Sequence, residues 1–380
     1  MTFRLNEDQL LIRETARDVA QEQIAPLAQG YDERSEFPWQ SVSYLQELGF
    51  MAMMVEEKWG GSGLDTLSYS LAMEEISKAC ASTGVTMSVN NSLYSYPVET
   101  FGSESQRENF LKPVISEKLG AFALSEPDAG SDPASMRTNA KLEAGEWVIN
   151  GSKMWITNGG AASYYVVFAV TDKSKGHRGI SAFILEKGDE GFEIGSPEKK
   201  LGIRASSTTP LNFDNCRIPQ DRLLGKEGEG FKIAMKTLDG GRIGIASQAL
   251  GIGMAALESA VKYSKEREAF GQQIGKFQGI QWMIANATVE LDAARELIWK
   301  AAMMKDAGER FVKEAAMAKL YASEAAVRAA DMAVQVHGGA GYSNDFPAQR
   351  YWRDSKITAI YEGTSEILRL VIARETLGKF

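Results

Sequence analysis

The chain has 380 residues, 44% of them hydrophobic and 24% charged, which is enough for two or three globular domains with substantial cores. Its formal net charge of −8 offers no basic field for a phosphate backbone, so we expect no nucleic-acid partner. Two cysteines, Cys80 and Cys216, and two histidines, His177 and His337, predict neither a disulfide framework nor a metal site, and a carboxylate becomes the leading candidate for proton chemistry.

The N-terminal region, residues 1–118, has a helical pattern and is predicted to form a helical domain. Asn6 followed by Gln9 resembles a capping box, which predicts the start of the first helix. The opening residues contain no apolar segment of signal-peptide length, and no later apolar run is long enough to cross a bilayer. We therefore expect no membrane insertion, and a location in the cytoplasm or, for a mature eukaryotic form, in the mitochondrial matrix.

Short β-rich runs replace the helical pattern in residues 119–226. Clusters of glycine, asparagine and aspartate separate these runs, which include WVING, KMWIT, YYVVFAV, GISAFIL and PLNF. Regularly spaced short runs of this kind are typical of a compact all-β domain.

Helical periodicity returns in residues 227–380, where two apolar series step alternately by four and three residues. The first series is Ile280, Ile284, Ala287, Leu291, Ala294, Ile298 and Ala301, and the second is Ala316, Leu320, Ser323, Val327, Ala330 and Val334. A mean period near 3.5 favours long helices packed at a shallow angle, as in an antiparallel four-helix bundle.

A dinucleotide-binding pattern also occurs in this region, because Gly251, Gly253 and Ala256 formally match Gly-x-Gly-x-x-Gly/Ala. No predicted strand precedes the match, and its surroundings have helical periodicity. We interpret it as a chance match within a packed helix.

The segment IYEGTSEILR, residues 360–369, places Glu362 beside Gly363 within an otherwise helical pattern. Glycine disfavours a continuous helix, and Thr364 or Ser365 can cap the helix that resumes. We therefore predict a bend that points the Glu362 carboxylate into a cleft. An ordinary surface glutamate is the alternative when the segment is taken alone.

Six strings in a fixed order resemble the acyl-CoA dehydrogenase family over essentially the whole chain. They are FALSEPDAGSD (122–132), KMWITNGG (153–160), LDGGRIGIASQALG (238–251), REAFGQQI (267–274), QVHGGAGY (335–342) and IYEGTSEI (360–367). The segment CASTGVTMSVNNSLY (80–94) is most similar to the short-chain, butyryl-CoA type. The resemblance implies an α+β multidomain fold with an N-terminal helical domain, a central β-barrel-like domain and a C-terminal antiparallel four-helix bundle.

The resemblance implies an FAD enzyme that desaturates a fatty acyl-CoA between its α and β carbons. Glu362 would remove the α-proton, and flavin N5 would accept the β-hydride. The backbone N–H of Glu362 and the ribityl 2′-hydroxyl of FAD would then stabilise the charge on the thioester oxygen. Some relatives place the base at the position of Gly241, and glycine there agrees with a base at Glu362.

The cofactor residues follow from the same resemblance. Five of them would line the isoalloxazine ring: Phe122, Leu124, Ser125, Trp155 and Thr157. A second group would hold the pyrophosphate and adenine from a neighbouring chain, and it comprises Arg267, Phe270, Gln278, Gln335, Gly338 and Gly339. Thr364 and Glu366 would make further FAD contacts, and His337 receives no catalytic role.

The implied substrate residues are Ser131, Asp239, Arg242, Tyr361 and Gly363. The implied partners are an acyl-CoA, an electron-transferring flavoprotein and further copies of the chain in a homotetramer. The alternatives are a dehydrogenase for branched, alicyclic or medium-chain acyl-CoA, an acyl-CoA oxidase, and an inactive relative that acts as an interaction protein. The exact acyl chain and the physiological direction stay open at this stage.

Overall fold

The computed structural model describes residues 4–378. Its N-terminal part is helical, as predicted. The α-helices are α1 (Glu7–Val19), α2 (Ala25–Arg34), α3 (Trp39–Glu47), α4 (Thr66–Ala79), α5 (Ala81–Ser88), α6 (Tyr96–Phe101), α7 (Glu104–Gln106) and α8 (Lys112–Ser116), and π-helical turns cover Ala20–Ile24, Val89–Ser95 and Arg107–Leu111.

The predicted capping box of α1 is confirmed, since Asn6 Oδ1 accepts the backbone N–H of Gln9 at 2.8 Å and Gln9 Oε1 accepts that of Asn6 at 3.1 Å.

Eight strands form one central sheet, which confirms the predicted change to β structure. They are β1 (Gly120–Ala123), β2 (Asn139–Glu143), β3 (Glu146–Thr157), β4 (Tyr164–Val170), β5 (Ile180–Glu186), β6 (Phe192–Ile194), β7 (Thr208–Pro219) and β8 (Leu223–Leu224). The order is β6-β7-β3-β2-β4-β5-β8, and β1 pairs with β4 in parallel. The runs WVING and KMWIT belong to the single strand β3, which continues past Gly151 (φ +138°) through two shifts of register against β7.

The C-terminal part is a helical bundle. It consists of α9 (Gly230–Glu266), a short hairpin of β9 (Glu268–Ala269) and β10 (Gln272–Gln273), α10 (Gln278–Asp306), α11 (Val312–His337), α12 (Ala348–Thr358) and α13 (Ser365–Leu377). Helices α9, α10 and α11 alternate in direction. Ion pairs Arg310–Glu375 (2.7 Å) and Arg369–Glu324 (2.6 Å) join α11 and its preceding loop to an antiparallel α13. The predicted four-helix bundle is confirmed.

Helix α9 lies at the centre of the bundle, between α4 and α11. It is apolar and long enough to meet a membrane-span criterion, but 83% of the relevant 18-residue window is buried within the protein. Its glycines allow this close packing: a Cβ added to Gly244 would lie 2.5 Å from the Tyr69 hydroxyl, and one added to Gly251 would lie 2.9 Å from Ser77 Cβ. Gly251 therefore serves helix packing within α9, in agreement with the interpretation of the dinucleotide pattern as a chance match.

A polar junction connects α12 to the other two parts of the chain. The Arg353 guanidinium bonds Asp32 of α2 at 2.5 Å and donates to the Leu201 carbonyl at 3.1 Å. The neighbouring Asp354 accepts the backbone N–H of Ile203 at 2.5 Å and is buried. These bonds fix α12, and therefore the segment that follows it, relative to the sheet and the N-terminal helices.

We expect Gly251→Ala to destabilise the protein, because the new methyl group would overlap the Glu74 carbonyl and Ser77 of α4. Overpacking of this kind typically costs about 1–3 kcal/mol, which outweighs the helix propensity of alanine. The measurement is the Tm by differential scanning fluorimetry. Gly30→Ala is the matched control, because its methyl group meets only the movable, exposed guanidinium of Arg34 and should leave Tm unchanged or higher. Equal Tm values for the two variants would contradict the prediction.

Candidate active site

The predicted bend lies between α12 and α13, and two successive residues form it. Glu362 (φ +50°) and Gly363 (φ +98°) both have left-handed backbone conformations. Thr364 then caps α13, with its Oγ1 accepting the backbone N–H of Ile367 at 3.3 Å. A left-handed glutamate costs about 1–2 kcal/mol, so the surrounding contacts must hold this bend.

The Glu362 carboxyl group points against helix α9. A Cβ added to Gly241 would lie 2.5 Å from Glu362 Oε2 and 2.8 Å from Leu93 Cδ2, so any side chain at this position would force the carboxyl group or the leucine to shift. Oε2 is buried and has no hydrogen-bond partner within residues 4–378. Burial raises the pKa of Glu362 to about 7, against the opposing effect of the positive charges of Lys319 and Arg242.

Lys319 of α11 lies on the other side of the bend. Its side chain is fully buried, and its Nζ donates a hydrogen bond to the Gly363 carbonyl at 2.6 Å. Burial lowers the pKa of this ammonium to about 7. Lys319 was not predicted from the sequence, although a lysine among the small residues Ala315, Ala318 and Ala322 on the buried face of a helix is a readable signal.

Two further contacts connect the bend with α9 and α5. The Tyr361 hydroxyl donates to Gln248 Oε1, and Gln248 Nε2 donates to the Ala81 carbonyl at 2.8 Å. Gln248, which is buried, was also missed because a glutamine in a helical pattern gives no signal of its own. Arg242, likewise on α9, bonds Asp239 at 2.8 Å, and its buried Nε has no partner among the described residues.

The residues predicted to line the isoalloxazine come together at the ends of β1 and β3. Trp155 has a left-handed backbone (φ +64°) at the register shift of β3, which leaves its indole 55% exposed. Met154 N–H donates to the Ser125 carbonyl at 2.9 Å, which joins the two strand ends. Phe122 and Leu124 are buried in the same apolar cluster as Leu93, with Tyr361 packed against it.

A buried ion pair supports this part of the sheet. Lys153 Nζ lies 2.7 Å from Glu126 Oε1 and donates to the Leu124 carbonyl at 3.2 Å. Glu126 also accepts the backbone N–H groups of Arg137 (2.6 Å) and Thr138 (3.0 Å). Both charged residues lie inside strings that carry the family resemblance, but the sequence alone does not indicate that they pair.

The second predicted cofactor group lies at the opposite end of the bundle, and its members are exposed in the single chain. They are Arg267, Phe270, Gln278, Gln335, Gly338 and Gly339. Phe270 is 95% exposed on the β9–β10 turn. His337, by contrast, is buried against Tyr263 with ring centroids 4.3 Å apart, so it packs within its own chain.

The remaining predicted residues are distributed around the bend and the sheet. Thr364 and Glu366 line a surface pocket of about 340 Å³ together with Arg328 and Lys356. Asp239, Arg242, Tyr361 and Gly363 adjoin Glu362, whereas Ser131 lies in the exposed loop after β1.

Comparison with known proteins decides the family. Three family models match successive parts of the chain: the acyl-CoA dehydrogenase N-terminal domain over residues 6–118, the middle domain over 121–216 and the C-terminal domain over 228–377. The chain belongs to the acyl-CoA dehydrogenase family. The three-part fold and the membership of this flavin-dependent oxidoreductase family, both implied by the sequence resemblance, are confirmed.

Individual acyl-CoA dehydrogenases and their structures are similar over the full length. The short-chain specific acyl-CoA dehydrogenase of mouse mitochondria is 53% identical over 380 residues, which is 100% of this chain and 92% of that protein. The structure of butyryl-CoA dehydrogenase from Megasphaera elsdenii matches with a TM-score of 0.97 and 46% identity, covering 100% of both chains. A chain from a structural study of the electron transferring flavoprotein of Acidaminococcus fermentans matches with a TM-score of 0.98 and 49% identity, again covering 100% of both chains.

We expect Gly241→Ala to displace the Glu362 carboxyl group, because the added methyl group would lie 2.5 Å from Oε2. An error of about 1 Å in the position of a reacting group can cost about 100-fold in rate, so the turnover of an acyl-CoA substrate should fall at least tenfold. Steady-state kinetics measures this loss, and the Tm serves as the control for folding. A folded variant with unchanged kcat would show that the Gly241 contact does not hold the carboxyl group.

Proposed function

We propose that this chain oxidises a short-chain acyl-CoA, butyryl-CoA foremost, to its trans-2-enoyl-CoA, with Glu362 as the base that removes the α-proton. The observation that supports it best is the carboxyl group of Glu362, which is held in a left-handed bend with one oxygen buried and unpartnered. A carboxyl group in this state has no internal bond to break before it meets a substrate. The short-chain relatives described above support the choice of substrate.

The proton chemistry follows from the environment of Glu362. Removal of a proton from the α carbon of a thioester requires a base whose pKa is near the working pH. Burial brings the pKa of Glu362 to about 7, so a substantial fraction of the group is ionised at neutral pH while it remains a stronger base than an exposed glutamate. A general base of this kind contributes about 10²–10⁴-fold in rate, or roughly 3–5 kcal/mol of barrier. The Glu362 N–H, on the same bend, would donate to the thioester oxygen.

We infer that the cofactor is FAD, which when bound supplies the acceptor for the β-hydride. The residues at the ends of β1 and β3 fit a flavin: the exposed indole of Trp155 offers an aromatic wall, and Thr157 offers a hydroxyl on the same strand. A Cβ at Gly338 or Gly339 would meet nothing within 4 Å, so the backbone there is open to close approach. Arg267 would provide the charge for a pyrophosphate.

The exposed cofactor group also supports a homotetramer in which one chain completes the FAD site of another. Phe270, at 95% exposure, has no cover in the single chain. Helix α10 exposes further large apolar side chains, namely Trp282, Met283, Val289 and Met303. Exposed apolar side chains of this size on one helix are what an interface between copies of the chain would cover. We infer that electrons leave through an electron-transferring flavoprotein, in keeping with the similar chain from the Acidaminococcus study.

Substrate contacts are proposed on the same geometry. Arg242 has a buried Nε without an internal partner, which suits a ligand oxygen. Leu93 and Tyr361 border the carboxyl group from the π-helical turn and the bend, and Tyr361 is fixed by Gln248. Ser131 and Asp239 would contact the CoA portion from the loop after β1 and from α9.

Glu362→Gln should keep the fold and the flavin but lose nearly all turnover, by about 10²–10⁴-fold, because an amide cannot accept the α-proton. The measurement is the rate at which butyryl-CoA bleaches the flavin absorbance of the purified protein, followed by steady-state turnover with an electron acceptor. Binding of butyryl-CoA to the variant, seen as a perturbation of the flavin spectrum, is the control. Retention of more than a tenth of the wild-type turnover would remove Glu362 from the role of base.

Leu93→Ala should shift the acyl preference towards longer chains, since it removes the apolar side chain that lies beside Gly241 and the carboxyl group. One methylene is worth about 1–3 kcal/mol in a fitted pocket, so kcat/KM for hexanoyl-CoA relative to butyryl-CoA should rise about tenfold or more. A panel of acyl-CoAs from C4 to C12 measures the shift. Leu142→Ala is the control, because Leu142 is exposed on the sheet. An unchanged ratio would place the acyl chain elsewhere.

A further inference from the structure

Lys319 is a buried cation on the small-residue face of α11, where a lysine is unfavourable for the fold. Its side chain is fully buried between neighbours such as Ala315, Ala318 and Ala322, and its hydrogen bond goes to the Gly363 carbonyl rather than to a carboxylate. Burial of an ammonium group without a paired carboxylate is costly. Packing therefore gives no reason for a lysine at this position, and its contact with the bend gives one.

We propose that Lys319 is a positioning residue for Glu362: its ammonium anchors the Gly363 carbonyl, which holds the left-handed bend, and its positive charge stabilises the ionised carboxyl group. This inference rests on the proposed role of Glu362 as the base. The role of Lys319 is indirect, because it contacts the backbone of the bend and acts through Glu362.

The hydrogen bond accounts for the geometry. Glu362 and Gly363 are successive residues with left-handed backbone conformations. The conformational cost at Glu362 must be offset by contacts that form only when the backbone bends in this way. At 2.6 Å, the bond from Lys319 Nζ to the Gly363 carbonyl is a charge-assisted contact at the second residue of the bend. Because α11 is a rigid 26-residue helix, this contact fixes the bend relative to the bundle.

The charges around Glu362 come from two helices of the bundle. Lys319 lies on α11 and Arg242 on α9, and both favour the ionised carboxyl group, Lys319 more strongly. Arg242 already bonds Asp239 at 2.8 Å, which offsets part of its charge. The same neighbours act on the pKa of Lys319. The charges of Glu362 and of the exposed Glu366 of α13 raise it, and the charge of Arg242 lowers it.

Two variants separate the two parts of the role. Lys319→Met removes both the charge and the hydrogen bond at similar length, while Lys319→Gln removes the charge but keeps a donor for the Gly363 carbonyl. Lys200→Met is the matched control, because half-buried Lys200 also donates to a backbone carbonyl, that of Ser206 at 2.8 Å, in the loop between β6 and β7. All variants are made in the flavin-loaded full-length protein.

The first measurement is the pH dependence of kcat/KM with butyryl-CoA, which reports the ionisation of the free enzyme, together with KM and Tm. In the wild type the rate should fall as the pH drops through about 7, because Glu362 takes up a proton there. Lys319 is protonated on the acidic side of its own pKa of about 7, which is where Glu362 takes up its proton. An opposite charge nearby lowers the pKa of a carboxyl group by about one unit or more. Both Lys319 variants should therefore move the acidic limb of the pH profile to higher pH by about one unit, a tenfold loss of rate on its acidic side. The high-pH plateau should fall in Lys319→Met and recover in Lys319→Gln, with KM little changed.

The second measurement does not depend on turnover. Infrared spectra at pH 7 report the protonated carboxyl band that disappears on Glu362→Gln replacement, and this band should be larger in both Lys319 variants than in the wild type. Tm reports whether each variant folds. Lys200→Met should leave the pH limb and the band at their wild-type values.

A wild-type pH limb and infrared band in both Lys319 variants would overturn the proposal, and so would an equal shift in Lys200→Met. If Lys319→Met does not fold or loses its flavin, the limb and band of Lys319→Gln decide the result. A wild-type protein that butyryl-CoA does not bleach, or an active Glu362→Gln, would refute the proposed function instead, while the infrared band would still report whether Lys319 keeps Glu362 ionised.

Discussion

The burial of one carboxyl group against a glycine of α9 is the constraint on which the site depends. Glu362 lies this close to Gly241 because that residue has no side chain, and the left-handed bend directs the carboxyl group towards it. Burial then raises the pKa of the group to about 7. Position and basicity therefore have the same cause: the environment that orients the carboxyl group also makes it a useful base.

The rigidity of the bend depends on contacts from distant parts of the chain. Asp32 and Ile203 fix α12 before the bend through Arg353 and Asp354, and the cap of Thr364 begins α13 after it. The N-terminal helices and the sheet thus help to position a residue that neither contains. This arrangement explains why a site formed by a short turn requires a three-part fold of this size.

Much of the architecture was predictable from periodicity, because helices and strands repeat with different periods. The capping box at Asn6, the change to β structure and the C-terminal bundle followed from local patterns. The bend at Gly363 followed from one glycine in a helical pattern. The pairing of Lys319 with the Gly363 carbonyl and that of Lys153 with Glu126 did not, since each depends on tertiary contacts between residues at least 27 positions apart. Gln248 gave no sequence signal, and the roles of the exposed cofactor residues rest on the family resemblance.

The close approach of Gly241 and Glu362 also limits how the site can change over evolutionary time. The Glu362 carboxyl group occupies the space that a side chain at 241 would enter, so a larger residue there and the present position of the carboxyl group compete for the same space. A lineage that moved its base from the bend to α9 would place a carboxyl group at 241 in the space that the Glu362 carboxyl group now occupies. We therefore expect the position of the acid group and the size of residue 241 to change together among such enzymes.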